Sequence, residues 1–227
     1  MQSWSSNSAA KAKVQCYPLV ERYDKIQPHC ALEPLMIKNL RITLRHVTEA
    51  DLPILTKVSG DTVARGEFNP TRITGPQAIQ KRFQDNGFSS DEHELLLICN
   101  EFETVIGDVV HFQAKRYSTA REIGWTIHDP ENRNRGYATE AVTALIDYLF
   151  KSFPINRIEC STATQNLASI RLAEKCGLIR EGVLRGLVFV GGVYLDDVVL
   201  SMLRSDWEQR QGKPETPPLP PSKIVAE

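Results

Sequence analysis

Between residues 131 and 150 the chain reads ENRNRGYATEAVTALIDYLF, a cluster of Arg and Asn with one Gly that leads straight into an amphipathic helix. A strand stopping near His128, a short loop and a helix starting near Ala138 would leave several backbone N–H groups unpaired at the positive end of the helix dipole. Such an end can hold a phosphate. Gly136 permits unusual φ/ψ and close backbone approach, Ala138 leaves room beside it, and Arg133 and Arg135 add positive charge. The lysine of a Walker A loop is missing and the chain has no GxGxxG, so ATP and dinucleotide readings fall away. On spacing alone the stretch is either a solvated turn or an anion cradle.

Whichever it is, neighbouring elements must hold it in place. After the loop, Ala138, Ala141, Val142, Leu145, Ile146, Leu149 and Phe150 recur at helical spacing, which predicts one buried helix face. Before it, 121-REIGWTIH-128 alternates Ile123, Trp125 and Ile127 against Glu122, Gly124, Thr126 and His128, a strand pattern. Further strands are expected around LRITLRHV, 94–100 and 104–113, with helices over 49–60 and 75–87, the second opening on a Pro. After the central helix come a strand over 157–164 and a helix over 167–177, with Asn166 as N-cap and Gly177 as C-cap. The runs near 183–190 and 193–203 predict a hairpin turned at Gly191-Gly192.

The 227 residues suffice for one sizeable core, and 27 basic against 28 acidic residues leave a formal net charge of −1. That balance argues against a nucleic-acid or anionic-membrane partner. Five scattered cysteines without a CxxC pair suggest neither a disulfide framework nor a zinc site, so no metal is expected. A reducing cytoplasmic location fits them, and no run is apolar enough to span a bilayer. Residues 1–37 lack sustained periodicity and read as an N-terminal extension; residues 38–208 hold the domain; residues 209–227 are a Pro-rich tail expected to be disordered, in which a PxxP spacing reads as bland chain before it reads as a ligand.

The segment 133-RNRGYA-138 fits the Arg/Gln-x-x-Gly-x-Gly/Ala loop of the GNAT superfamily of N-acetyltransferases, and it sits between strand and helix where that family has it. The series EIGWTIH, RNRGYATEAVTALIDYLF, RIECSTATQNLASIRLAEKCGL, EGVLRG and DVVLSMLRSDW resembles, in order and spacing, the RimJ/RimL-like branch. The resemblance covers residues 38 to 208. It implies an α/β (α+β) fold: a mixed, mostly antiparallel twisted sheet flanked by helices, whose fourth and fifth strands splay to admit the pantetheine arm of acetyl-CoA. It further implies cofactor contacts at Ile127, Arg133, Asn134, Arg135, Gly136, Tyr137, Ala138, Thr139 and Asn166. The acceptor would be a primary amine, on a protein N-terminus or on a small molecule such as an antibiotic.

Direct acetyl transfer to an amine needs a deprotonated nitrogen, a polarised thioester carbonyl and a proton for the leaving thiolate. Glu122, on the strand before the loop, is the first candidate base, against the reading of a structural strand residue; His128 competes, against the reading of a turn residue. Family members often place the thiolate's proton donor on a Tyr seven positions after the helix-opening Asn, where this chain has Ala173. Ser169, in the Asn-x-x-Ser of the RimJ/RimL-like branch, is the candidate in its place, while polar N3 residue is its plainer role. Backbone N–H groups near Ile127 would polarise the carbonyl. Cys160 reads as a core residue rather than a ping-pong nucleophile, and Asp196 and Asp197 either face the amine or serve a turn. The missing Tyr leaves a second function in play, a non-catalytic CoA-sensing or protein-binding module. The extension could cover the acceptor cleft, donate an edge strand or mediate a homodimer.

Overall fold

The computed structural model describes residues 36–69 and 71–212. The N-terminal extension before residue 36 and the tail after 212, with the expectations attached to them, lie outside the described residues. One eight-stranded sheet runs β1 (Met36–Lys38), β2 (Ile42–His46), β3 (His93–Asn100), β4 (Val105–Gln113), β5 (Arg121–Ile127), β6 (Arg157–Ala163), β8 (Val193–Leu203), β7 (Ile179–Val190) from edge to edge. Every neighbouring pair is antiparallel except β5 and β6, which are parallel. The helices are α1 (Leu52–Gly60), α2 (Thr62–Arg65), α3 (Pro76–Asn86), α4 (Tyr137–Ser152), α5 (Leu167–Cys176) and α6 (Arg204–Arg210). The mixed, mostly antiparallel sheet flanked by helices is the expected fold class.

Alternation along β3 divides the helices between the two faces, because successive side chains of a strand point to opposite sides. Leu96 and Ile98 pack in the large core with Ala141, Leu145 and Leu149 of α4, Ile170 of α5 and Trp207 of α6. Leu97, between them, packs with Leu52 and Leu55 of α1 and Ile79 of α3. Burial of Leu145, Ile146, Leu149 and Phe150, all at 3 % exposure or less, contributes roughly 1.5–3 kcal/mol for each side chain. That stripe fixes where α4 begins, and therefore where the loop before it must sit.

The expected fourth and fifth strands are β5 and β6 here, because β1 precedes the strand with which the sequence pattern starts. They pair at only two positions, Arg121 with Ile158 and Glu122 with Glu159, and the remaining residues of both strands diverge. The N-cap at Asn166, the left-handed C-cap at Gly177, Pro76 at the start of α3 and the Gly191-Gly192 turn all stand where the sequence puts them.

Besides the added β1 and α2, two helices depart from expectation. Helix α4 starts one residue early, so Tyr137 rather than Ala138 is the first residue buried; its hydroxyl donates to Glu101 at 3.2 Å and Arg41 lies over its ring. Helix α6 was not foreseen. It is held by Arg204, whose guanidinium donates to the carbonyls of Phe150, Phe153 and Ile155, each at 2.8 Å, and by Trp207, which stacks on Phe150 and donates to Asp147. These long-range bonds close the C-terminal end of α4.

Candidate active site

The loop from β5 to α4 carries two left-handed residues, Asn134 at φ 59° and Gly136 at φ 86°. Asn tolerates that region and Gly adopts it without a Cβ penalty. The first intrahelical bond of α4 runs from the Glu140 N–H to the Gly136 carbonyl, so the amides of Tyr137, Ala138 and Thr139 precede the ladder and form the helix's positive end. They face a cavity of about 1060 Å³.

Ile127, Arg133, Asn134, Gly136, Tyr137, Ala138, Thr139, Asn166 and Ser169 all line that cavity. The geometry refines what each can supply. Arg133 donates from Nε to the Ile127 carbonyl at 3.3 Å and from Nη2 to the Ala64 carbonyl at 3.2 Å, so it ties the end of β5 to α2. Tyr137 offers the cavity its backbone, since its ring is in the core. Arg135 is exposed and does not line the cavity; its carbonyl accepts from Arg41, whose guanidinium also holds Glu140 in the first turn of α4.

Sequence reading missed the basic residues that complete the wall, Arg65 from α2 and Arg171 and Lys175 from α5. Arg171 and Lys175 stand four residues apart and therefore on one helix face. Arg65 donates from Nη1 to the Arg72 carbonyl at 2.9 Å, while its buried Nε and Nη2 have no partner among the described residues. A buried guanidinium with two unanswered donors, beside a helix N-terminus, fits an anionic ligand with phosphate groups. In sequence these cations look like any solvated surface charge.

On α5, Asn166 accepts from the Ser169 amide at 3.2 Å and donates to the Thr162 hydroxyl at 2.9 Å, joining the helix to the end of β6. Ser169 and Leu172 face the cavity, whereas Ala173 is wholly buried in the core.

Glu122 does not line the cavity. It is half-buried on the sheet face opposite α4, the same face of β5 as Thr126 and about 13 Å along the strand from it. Ser161 of β6, exposed, donates to its Oε1 at 3.2 Å. Burial holds the Glu122 carboxyl above its ordinary value; the hydrogen bond from Ser161 opposes this, and the nearby carboxylates of Glu159 and Asp197 add to it.

The rival residues are otherwise engaged. His128 is buried in the bend that follows β5, with Nε2 hydrogen-bonded to Asp108 at 2.5 Å. Asp196 accepts from the Gly186 amide at 2.8 Å. Cys160 is in the core, and burial pushes its thiol up to about 12, far from a thiolate nucleophile at neutral pH. Among the described residues no group of His, Cys, Asp and Glu is placed to hold a metal, and no helix is long and apolar enough to cross a membrane.

The sheet is thus parted between two parallel strands, beside a helix start whose unpaired amides face a cavity. The family model described as acetyltransferase (GNAT) domain matches residues 41–179, and the chain belongs to this family of N-acetyltransferases. It is 32 % identical over 137 residues to a probable N-acetyltransferase, YjcK, of Bacillus subtilis, across 60 % of this chain and 76 % of that one. It is also 27 % identical over 120 residues to a ribosomal protein uS5 alanine N-acetyltransferase of Escherichia coli, across 53 % of this chain and 57 % of that one. Among solved structures, a spermidine N-acetyltransferase from Vibrio cholerae in complex with CoA and spermine superposes with TM-score 0.67 at 20 % identity, across 74 % of this chain and 99 % of that one. The chain is thus an acyltransferase of the GNAT family that acetylates amines, similar to the RimJ/RimL-like branch.

Proposed function

We propose that the protein moves the acetyl group of acetyl-CoA directly onto a primary amine, with donor and acceptor bound together. The observation that carries this reading is the free helix end at Tyr137, Ala138 and Thr139 opening on a cavity that continues past Ser169 and the basic residues Arg65, Arg171 and Lys175. The amides and the cations would hold the phosphates of CoA, and Asn134 and Gly136 shape the loop so that those amides converge. Bound acetyl-CoA supplies an activated thioester.

The remaining roles fall to the chain's own groups. Glu122 takes the proton of the ammonium, directly or through water, which contributes about 10²–10⁴-fold. Burial raises the proton affinity of its carboxyl, which favours acceptance of a proton. Backbone N–H groups at the parted edge of β5 near Ile127 donate to the carbonyl oxygen, and the Ser169 hydroxyl, oriented by the Asn166 cap, donates to the departing sulfur. The acceptor amine belongs either to a protein N-terminus, the kind of acceptor for which the Escherichia coli relative is named, or to a small molecule, as spermidine is for the Vibrio cholerae enzyme by its name.

A CoA-sensing module on the same fold is the competing function, and it rested on the absent Tyr at 173. Against it stands the Ser169 hydroxyl on the cavity wall, one helical turn before the position that lacks the Tyr. The test is acetyl-CoA turnover against spermidine, an aminoglycoside and an Ala-initiated peptide, with CoA binding followed by calorimetry. Turnover that falls in both Glu122→Gln and Ser169→Ala supports the enzyme; CoA binding without turnover of any acceptor supports the sensor.

A further inference from the structure

The free amides of Tyr137, Ala138 and Thr139 lie between Arg135 and Glu140, and one side chain from a distant turn holds both ends of that segment. Arg41, between β1 and β2, donates from Nη2 to the Arg135 carbonyl at 3.0 Å and from Nε to Glu140 Oε1 at 2.8 Å. Its backbone N–H donates to Glu140 Oε2 at 3.2 Å, so both carboxylate oxygens are engaged. The Glu140 amide in turn closes the first turn of α4 on the Gly136 carbonyl at 3.1 Å. The turn that carries Arg41 is itself fixed, since the Asn39 amide donates to the Ile42 carbonyl at 2.9 Å and the Asn39 side chain accepts from the Leu40 amide at 2.8 Å. The guanidinium lies 5.1 Å over the ring of Tyr137, whose hydroxyl donates to Glu101 between β3 and β4.

This grip comes from outside the site. Arg41 does not line the cavity, whereas Gly136, Tyr137, Ala138 and Thr139 do. In a trans peptide the carbonyl and the N–H point in opposite directions, so a carbonyl of Arg135 held toward Arg41 turns the Gly136 amide away from it. Next to that peptide stands Asn134 at φ 59°, a backbone state that persists where surrounding contacts impose it.

We propose that Arg41 is a positioning residue of the donor site: its guanidinium staples residue 135 to residue 140 and so keeps the amides between them converged before CoA arrives. The inference rests on reading that helix end as the CoA cradle. Attraction of phosphate by charge is not the role, because the positive charge of Arg41 is answered by Glu140. Nor is stability the main effect, since the Arg41 side chain is 46 % exposed and ion pairs of that kind add little to it. What the guanidinium supplies is a planar fork that bonds two groups in fixed directions. A loop fixed beforehand spares the ligand the entropy of ordering it.

The test is CoA binding by calorimetry to the full chain carrying Arg41→Ala, Arg41→Lys or Gly136→Ala, beside ¹⁵N relaxation of the loop amides in the free proteins and thermal scans. In Arg41→Ala the Kd for CoA is expected to rise roughly tenfold, the order that follows when binding must also fix the loop. The amides of residues 136–139 should become more mobile than in the wild type, with Tm little changed. Arg41→Lys keeps the charge beside Glu140 without the fork, and should weaken CoA nearly as much as alanine does. That combination supports the proposal. Wild-type affinity in Arg41→Ala beside weakened binding in Gly136→Ala overturns it and leaves the cradle standing. Full affinity in Arg41→Lys also overturns it, because charge alone then suffices, and so does weakened binding with loop amides as rigid as in the wild type. Unchanged affinity in all three variants removes the cradle itself, and the role of Arg41 with it.

Discussion

The side-chain oxygen of Asn166 accepts the amide proton of Ser169 at 3.2 Å, while its side-chain nitrogen donates to Thr162 at 2.9 Å. One residue thus caps α5, ties that helix to the end of β6 and fixes the first turn, which carries Ser169. Asn166→Ala should cost about 1 kcal/mol, or roughly 2–4 °C in Tm for a chain of this size. It should lower turnover more than this stability loss explains, because Ser169 loses its orientation; thermal scans beside steady-state rates separate the two effects.

Gly136 holds φ at 86°, and a Cβ there would come within 3.0 Å of Arg41 Nη2. Gly136→Ala imposes about 1–3 kcal/mol of backbone strain that the loop can relieve only by turning its amides away from the cavity. CoA affinity should fall roughly tenfold, about 1.4 kcal/mol. Calorimetry showing wild-type affinity in this variant would exclude the loop as the phosphate cradle.

Direct transfer predicts that the core thiol is dispensable. Because burial pushes Cys160 up to about 12, it is not ionised at neutral pH, and Cys160→Ala should retain acetyl transfer. Trapping of a radiolabelled acetyl-protein intermediate that the variant cannot form would instead establish a two-step route.

Glu94 lies between two histidines, His46 at 2.7 Å and His111 at 2.8 Å. Burial alone would raise its carboxyl, but the hydrogen bonds from His111 and His46 outweigh it and bring the value down to about 2 from 4.5. A carboxyl depressed in the folded state stabilises above its ordinary value, and that contribution is lost as pH falls from about 4.5 toward 2. Glu94→Gln should therefore lower Tm at neutral pH, by an amount that shrinks as the scans are repeated at progressively lower pH. An equal deficit at every pH would assign the loss to packing instead.

How much of this was legible depended on whether a feature follows from local periodicity. Helix α4 shows a long, unbroken 3.6-residue stripe, and the loop before it is constrained by Gly136, so both could be read directly. The caps of α5 follow from Asn166 and Gly177 alone. Helix α6 could not be read, since seven mostly polar residues are fixed by the reach of Arg204 and Trp207 to residues about fifty or more positions away. The same is true of the site. Arg65, Arg171 and Lys175 become a cation lining only once α2 and α5 are brought to one cavity. Asp197 looks like one polar residue in an alternating strand, and its seclusion exists only in the assembled sheet. Tyr137 was placed in the cradle by its neighbours in sequence, but the turn of the helix sends its ring the other way.

The two-position pairing of β5 with β6 has a mechanical side. The sheet is effectively two plates, β1 to β5 and β6 to β8, meeting along a seam that is stitched only at its closed end. Helix α4 is the strap across it, packed in one core with residues of both plates. Strand edges left open along a seam lack ladder bonds, so their amides open to solvent more readily than those of fully paired strands. A long ligand lodged in the gap stands in for the missing stitches, and the protein is stiffest, and slowest to exchange its amides around residues 124–127 and 161–163, when the gap is filled.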